Sequence, residues 1–229
     1  MEHPSVSVIL PFYRQSAHMQ EVLDEFARAL REAGIAFELV AVMNGLADLP
    51  EPRQIQTVGE GVGRVVEVRL REAGWGRAVL AGMAAATGDF VCYTNTARTP
   101  ANELVRLVRY ALISDQAVVK ATRVKRSTWA RTWTSIFYNI ENRLVLKTPI
   151  WDVNATPKII PRRILAEIPL TETGDLIDAE LTYRCFRKGI PIIEIPAHHI
   201  ERRSGKSTTS AMSAVKMFLG LFRVRRSVR

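Results

Sequence analysis

Three groups of residues in this chain have types and spacings suited to chemistry. The first is rich in glycine: Gly74-Trp75-Gly76-Arg77, with Gly82 on the helical stretch that follows. Backbone N–H groups at a helix start can cradle a phosphate, and glycines allow close approach. The same glycines serve equally well for a tight loop and a close helix–strand packing. The second group is cationic. Arg202, Arg203 and Lys206 surround Gly205, and Ser207 follows. That pattern suits a phosphate or pyrophosphate; its plain alternative is a basic surface loop. The third group is acidic. Asp178 and Glu180, with Asp152 behind them, are candidates for a general base acting on a hydroxyl. Asp178, with Asp175, equally suits a helix N-terminus, where negative charge is favoured.

These groups need a scaffold. Val6 to Leu10 is an apolar run closed by Pro11, Phe37 to Val42 a second closed by Asn44-Gly45, and Val65 to Val68 a third. Met19, Val22, Leu23, Phe26 and Leu30 between the first two keep helical spacing. Gly74 to Thr87 is an alanine-rich helical stretch, and Phe90 to Tyr93 a fourth strand. Thr99-Pro100 reads as an N-cap with proline at the first helical position. Leu104, Leu107, Val108 and Ala111 then give that helix an apolar face. Further strands are expected over 118–121 and 190–195, and further helices over 133–144 and 176–188. The segment 49–63, with Gly59, Gly61 and Gly63, reads as loop. Strands alternating with helices imply a mainly parallel sheet, whose ligands sit at the carboxyl ends of its strands. Arg14, Asn44, Arg71 and Asn95 all fall just past strand ends and should meet in one crevice.

A chain of 229 residues with 47% hydrophobic content suits one compact domain. Its net charge of +9 favours anionic partners, among them phosphates, nucleotides and acidic lipid. Nucleic acid ranks last, because no recognisable nucleic-acid module accompanies the charge. Cys92 and Cys185 stand in apolar surroundings and read as buried free thiols of a reducing compartment. The four histidines lack metal-ligand spacing. No signal peptide or bilayer-length apolar run is read, so a cytoplasmic protein is expected, or one peripheral on the cytoplasmic face of a membrane.

The order of the blocks is more specific than any one of them. Val8-Ile-Leu-Pro-Phe-Tyr13 is followed by Phe37 to Val42, Gly74-Trp-Gly-Arg-Ala, Ala86-Thr-Gly-Asp89 and a strand. Then come Asp178-Ala-Glu180-Leu-Thr-Tyr-Arg184, Gly189 to Pro196, and Glu201-Arg-Arg-Ser-Gly-Lys-Ser207. This succession resembles the family 2 glycosyltransferases of GT-A fold, nearest to the branch of dolichol-phosphate mannosyltransferase and other polyprenyl-phosphate glycosyltransferases. The resemblance runs from residue 5 to about residue 210. It implies an α/β fold with a central, mostly parallel sheet flanked by helices. It also implies transfer of a sugar from a UDP- or GDP-sugar, commonly to a lipid phosphate and with inversion. On the same resemblance Pro11, Tyr13 and Gln15 match the segment that contacts base and ribose. Asn44 falls where the family has an acidic pair, and Asp89 matches a retained acid. Asn95 and Ala97 fall on the Asp-x-Asp that holds Mg²⁺ or Mn²⁺. Asp178 and Glu180 match the acceptor-side acids, and Arg202, Arg203, Lys206 and Ser207 the late phosphate block.

The departures run in one direction. Gln15, Asn44, Asn95 and Ala97 all replace usual acids. A hard divalent cation needs anionic oxygen ligands, so no metal site is expected. Two readings compete. Arg14, Arg71, Arg77 and Arg98 replace the cation and clamp a diphosphate, or catalysis has lapsed and a nucleotide-sugar-binding scaffold remains. Residues 1–209 form the expected domain, and 210–229 a basic amphipathic tail. In that tail Met212, Val215, Phe218, Leu219 and Phe222 form a stripe beside Lys216 and arginines 223, 225, 226 and 229. Such a helix suits an anionic membrane surface, or else docks on the domain or a second protomer.

Overall fold

The structure, a computed structural model, describes residues 6–13, 19–45, 64–124, 139–198 and 211–228. Arg14, Gln15, the 49–63 loop, the first half of the helix expected over 133–144, and the block Arg202, Arg203, Lys206 and Ser207 lie outside those residues.

The apolar runs form strands because both of their faces are covered. The strands are β1 (Val6–Tyr13), β2 (Phe37–Asn44), β3 (Arg64–Leu70), β4 (Phe90–Tyr93), β5 (Val118–Arg123), β6 (Lys158–Pro161) and β7 (Ile192–Ala197). They make one seven-stranded sheet in the order β3-β2-β1-β4-β6-β5-β7. Every neighbouring pair is parallel except the two that involve β6. Strand β1 shows how the sequence divides the layers. Val6, Val8, Leu10 and Phe12 face a core shared with α1 (Met19–Glu32) and α3 (Ala101–Ile113). Ile9 faces a core shared with α2 (Trp75–Ala85), α5 (Arg162–Glu167) and α6 (Ile177–Lys188). The sheet is thus sandwiched between helices, the expected arrangement of a buried parallel sheet.

Helix α2 lies close on β1 at Gly82, where a Cβ would come within 2.3 Å of Ile9 Cγ2. A third, smaller core joins α4 (residues 139–146), the 150–153 turn, α6 and α7 (Ala211–Ser227). Two sequence expectations shift. Helix α3 starts one residue late, with Pro100 as its N-cap and no side-chain cap. Thr99 Oγ1 instead accepts a hydrogen bond from Thr94 Oγ1 at 2.7 Å. Strand β6 was not expected at all. Its register sets Lys158 beside Tyr93 on one flank and Lys120 on the other.

Candidate active site

The carboxyl ends of β1, β2, β3 and β4 lie together, and most of the expected crevice residues follow from that register. Tyr13 pairs with Asn44, and Asn44 with Leu70, one residue before Arg71. Beyond β4 the chain continues along β1. Thr94 N donates to Ile9 O at 3.2 Å, and Thr96 Oγ1 to Pro11 O at 3.1 Å. Pro11, Tyr13, Asn44, Arg71, Asn95 and Ala97 are thereby gathered at one edge of the sheet.

Asn44 is buried, and its amide is used locally. Nδ2 donates to Phe12 O at 3.1 Å, and Oδ1 accepts from Gly74 N at 3.4 Å. It ties β1 and the start of α2 together. Gly45, at φ +79°, carries the Tyr13 ring on its bare face, where a Cβ would sit 2.7 Å from the ring. Asn95 Oδ1 accepts from Ala97 N at 3.1 Å, and Asn95 N donates to Thr156 Oγ1 at 3.2 Å. The Asn95-Thr96-Ala97 turn is therefore closed by an amide where the resemblance implies two metal-binding carboxylates. Among the described residues, no group of three or more His, Cys, Asp or Glu side chains could hold a metal ion. Within this turn Asn95 and Ala97 offer an amide oxygen and no carboxylate, whereas Mg²⁺ and Mn²⁺ favour anionic oxygen ligands.

The start of α2 is occupied by protein. Gly76 N donates to Gly174 O at 3.1 Å and Arg77 N to Thr173 O at 2.8 Å. A Cβ on Gly76 would fall 2.4 Å from Glu172 O. The glycine thus serves close packing of the 172–174 segment, and the N–H groups expected to cradle a phosphate are engaged. Arg77 pairs with Glu72 at 2.6 Å, while its buried Nε meets no acceptor. Asp89 does not reach the crevice. It precedes Phe90, which pairs with Val6 at the amino end of β1, so it lies at the opposite edge of the sheet. There Arg162 N donates to its carbonyl at 2.7 Å.

The three candidate acids each hold internal donors. Asp178 is buried, ion-paired with Lys158, and accepts from Tyr93 Oη at 2.8 Å and Trp75 Nε1 at 3.1 Å. Glu180 is fully buried. It accepts from Thr171 N and Oγ1 (both 2.9 Å), Glu172 N (2.8 Å), and Arg184 Nε and a terminal Arg184 nitrogen (3.0 and 2.8 Å). Asp152, at φ +47°, accepts from Arg123 N at 3.0 Å and Nε at 2.8 Å, and pairs with the same guanidinium's terminal nitrogen.

The most unusual feature nearby is a buried row of polar and charged side chains that crosses the sheet. Tyr93, Lys158, Lys120 and Glu194 are register neighbours across four strands. Both lysines are fully buried. Lys158 meets Asp178 and lies 5.3 Å from the centre of the Tyr93 ring. Lys120 Nζ donates to Glu194 at 2.8 Å and Trp151 O at 2.9 Å. Burial pulls the Lys120 ammonium down to about 8, against the opposing pull of Glu194. Burial also lowers Lys158, against Asp178. Tyr93 is pushed well above its ordinary range by burial and the neighbouring Asp178 carboxylate. The signal was in the sequence: a lysine inside Val118-Val-Lys-Ala, and another opening Lys158-Ile-Ile, are cations placed in apolar strand runs.

A helix-flanked, mostly parallel sheet with its crevice at the strands' carboxyl ends is the architecture of GT-A proteins. The family described as "Glycosyl transferase family 2" matches residues 7–168, and the chain belongs to that family. Among curated relatives, an undecaprenyl-phosphate 4-deoxy-4-formamido-L-arabinose transferase of Pseudomonas fluorescens is 25% identical over 227 residues, covering 94% of this chain and 63% of its own. The transferase of the same name from Pseudomonas aeruginosa is 29% identical over 229 residues, with the same coverage. The chain thus spans about 63% of the length of these relatives. Among solved structures, glucosyl-3-phosphoglycerate synthase from Mycobacterium tuberculosis in complex with Mn²⁺, UDP and phosphoglyceric acid superposes with a TM-score of 0.69. It is 17% identical, with 98% of this chain and 78% of that one covered. That likeness bears on the fold.

Proposed function

We propose that this chain is a glycosyltransferase that moves a sugar from a UDP- or GDP-sugar to a polyprenyl phosphate. The observation that carries the acceptor class is the state of the acids. Asp178, Glu180 and Asp152 are each held by internal donors. A hydroxyl acceptor needs a general base within reach. A phosphate acceptor is already anionic and needs none. Its oxygen attacks the anomeric carbon, the bond from that carbon to the donor's phosphate oxygen breaks, and the nucleoside diphosphate leaves with the electron pair. The named function of the Pseudomonas relatives supports the same acceptor.

In this reading arginines meet the leaving diphosphate's charge, and a divalent metal does not. Arg71 and Arg77 stand beside the crevice, and Arg14, Arg98, Arg202, Arg203, Lys206 and Ser207 are the further candidates. Guanidinium groups match phosphate oxygens in paired geometry. Pro11, Tyr13, Asn44 and Asn95 then form the nucleotide side, and the chain works in the cytoplasm or at the cytoplasmic face of a membrane.

The test is transfer by the full chain to undecaprenyl phosphate in detergent, with UDP- and GDP-sugars, with and without EDTA. A lipid-linked product whose rate changes less than about twofold with EDTA is expected. Product that forms only with added Mg²⁺ or Mn²⁺ would sink the arginine reading. The replacement of both Asp-x-Asp acids by Asn95 and Ala97 favours a second reading, a nucleotide-sugar-binding protein without turnover. A nucleotide sugar that raises the melting temperature with no product from any donor would establish it.

A further inference from the structure

We infer that Trp75 is the platform on which the donor's sugar rests, and that Asp178, backed by Lys158, is the residue that positions it. The inference rests on the nucleotide-sugar reading above and names the part of the crevice that meets the sugar. Trp75 opens α2, four residues after β3 has ended at Leu70, so it stands at the carboxyl edge of the sheet. Gly74, just before it, donates its N–H to Asn44 at the end of β2. The indole meets Tyr93, the last residue of β4, edge to face at 6.2 Å. It is thereby placed at the crevice edge, between the ends of β2 and β4. The residue packs on the core below and is only partly buried.

Beneath the indole lies an arrangement that packing alone does not require. Asp178 Oδ1 takes the Lys158 ammonium and accepts from Tyr93 Oη at 2.8 Å, while Oδ2 accepts from Trp75 Nε1 at 3.1 Å. Asp178 and Lys158 are both buried. Leucine or phenylalanine at position 75 would fill the same place, and an apolar pair at 158 and 178 would often be no less stable than a buried ion pair. What the ion pair adds is direction. Two donors from the sheet fix the carboxylate, and its free oxygen then sets the rotation of the ring through the N–H. A ring held this way suits a sugar. A pyranose carries hydroxyls around its rim and C–H bonds on its faces, and those faces pack on the negative π-surface of an aromatic ring. Pockets for small ligands combine such aromatic walls with a few fixed polar groups. The base has a separate aromatic neighbour in Tyr13, whose ring lies against Gly45. The sugar ring is therefore the occupant assigned to Trp75.

The experiment is calorimetric titration of the full chain with UDP, GDP, UDP-glucose, UDP-galactose and GDP-mannose. W75L keeps apolar packing without a ring and should weaken the nucleotide sugars about tenfold, with UDP and GDP changed less than about twofold. W75F, the milder change, keeps a ring without the N–H and should weaken them about threefold. Lys158→Met with Asp178→Leu removes the buried charges and the acceptor together, and should match W75F. Lys158→Met with Asp178→Asn returns an acceptor to the indole and should restore wild-type affinity, a rescue that a merely structural role would not produce. Unaltered nucleotide-sugar binding by W75L, a weakening shared by UDP and GDP, or failure of that rescue would overturn the inference. So would a wild type that binds none of the three nucleotide sugars. Selective weakening in a chain that forms no product with undecaprenyl phosphate would uphold the inference and defeat transfer alone. Product formed by wild type and W75L with the same donor KM would defeat the inference and leave transfer standing.

Discussion

Asp178→Asn separates a structural role for this acid from a chemical one. The substitution leaves Lys158 fully buried and without its carboxylate partner. Removing one member of a buried ion pair destabilises by about 3–5 kcal/mol. An independent ceiling comes from the lysine itself, which can shed its proton on folding. Holding a lysine neutral at pH 7 costs about 4.6 kcal/mol, from an ordinary pKa near 10.4. The two figures agree. For a chain of this size the loss lowers the melting temperature by about 6–20 °C. The pH dependence follows with a definite sign. Burial already lowers Lys158, and Asp178 is the chief influence that raises it again. In the variant the folded state binds one proton fewer at Lys158 than the unfolded chain, so its stability rises with pH. The deficit should shrink by up to about 3 kcal/mol between pH 7 and pH 9. Lys158→Met combined with Asp178→Asn should recover most of the loss, because no buried charge is left over. Thermal and urea melts at both pH values are the assay. A single variant within 2 °C of wild type, or a deficit that grows with pH, would refute the account.

Other outcomes are expected from the same structure. Selectively labelled lysine should show Lys120 titrating near pH 8. The unfolded chain holds that proton to about pH 10.4, so Lys120's contribution to stability climbs between those values; a titration above pH 10 would contradict the buried placement. Gly76→Ala drives a methyl group into the carbonyls of Glu172 and Gly174 and should lower stability by about 1–3 kcal/mol. Gly174→Ala meets nothing within 4 Å and should melt as wild type does. Glu180→Gln turns an amide donor toward Thr171, Glu172 or Arg184, and should cost about 1–3 kcal/mol. If transfer is lost in that variant while the melt is unchanged, Glu180 is a base after all.

The fold was largely legible because its strands are buried on both faces and read as plain apolar runs, from Val6 to Leu10 and Phe37 to Val42. Strand β6 escaped notice because it is four residues long and opens on Lys158. A charged residue there marks the end of a run until the partner, Asp178, is known. The gathering of Asn44, Arg71 and Asn95 followed from their places at strand ends in a parallel sheet. The roles of Gly76 and Glu180 did not. Both depend on the 171–174 segment, about a hundred residues beyond Gly76 and only a few before Glu180, and no periodicity reports such a contact. Asp89 misled for a different reason. It stands just before Phe90–Tyr93, at the amino end of that strand, and its match to a family motif outweighed that position.

Closure of the α2 start by Thr173 and Gly174 has a consequence for how the protein is made. Strands β1 to β4 and α2 are complete by Tyr93 as the chain leaves the ribosome, and domains tend to form from the amino end. Yet the first N–H groups of α2 find their acceptors, and Trp75 its carboxylate, only after residues 172–178 have been synthesised. The start of α2 is therefore among the last parts to set, late in order because its contacts are distant in sequence. A nascent chain ending just before residue 172 would carry six of the sheet's seven strands and no finished α2 start.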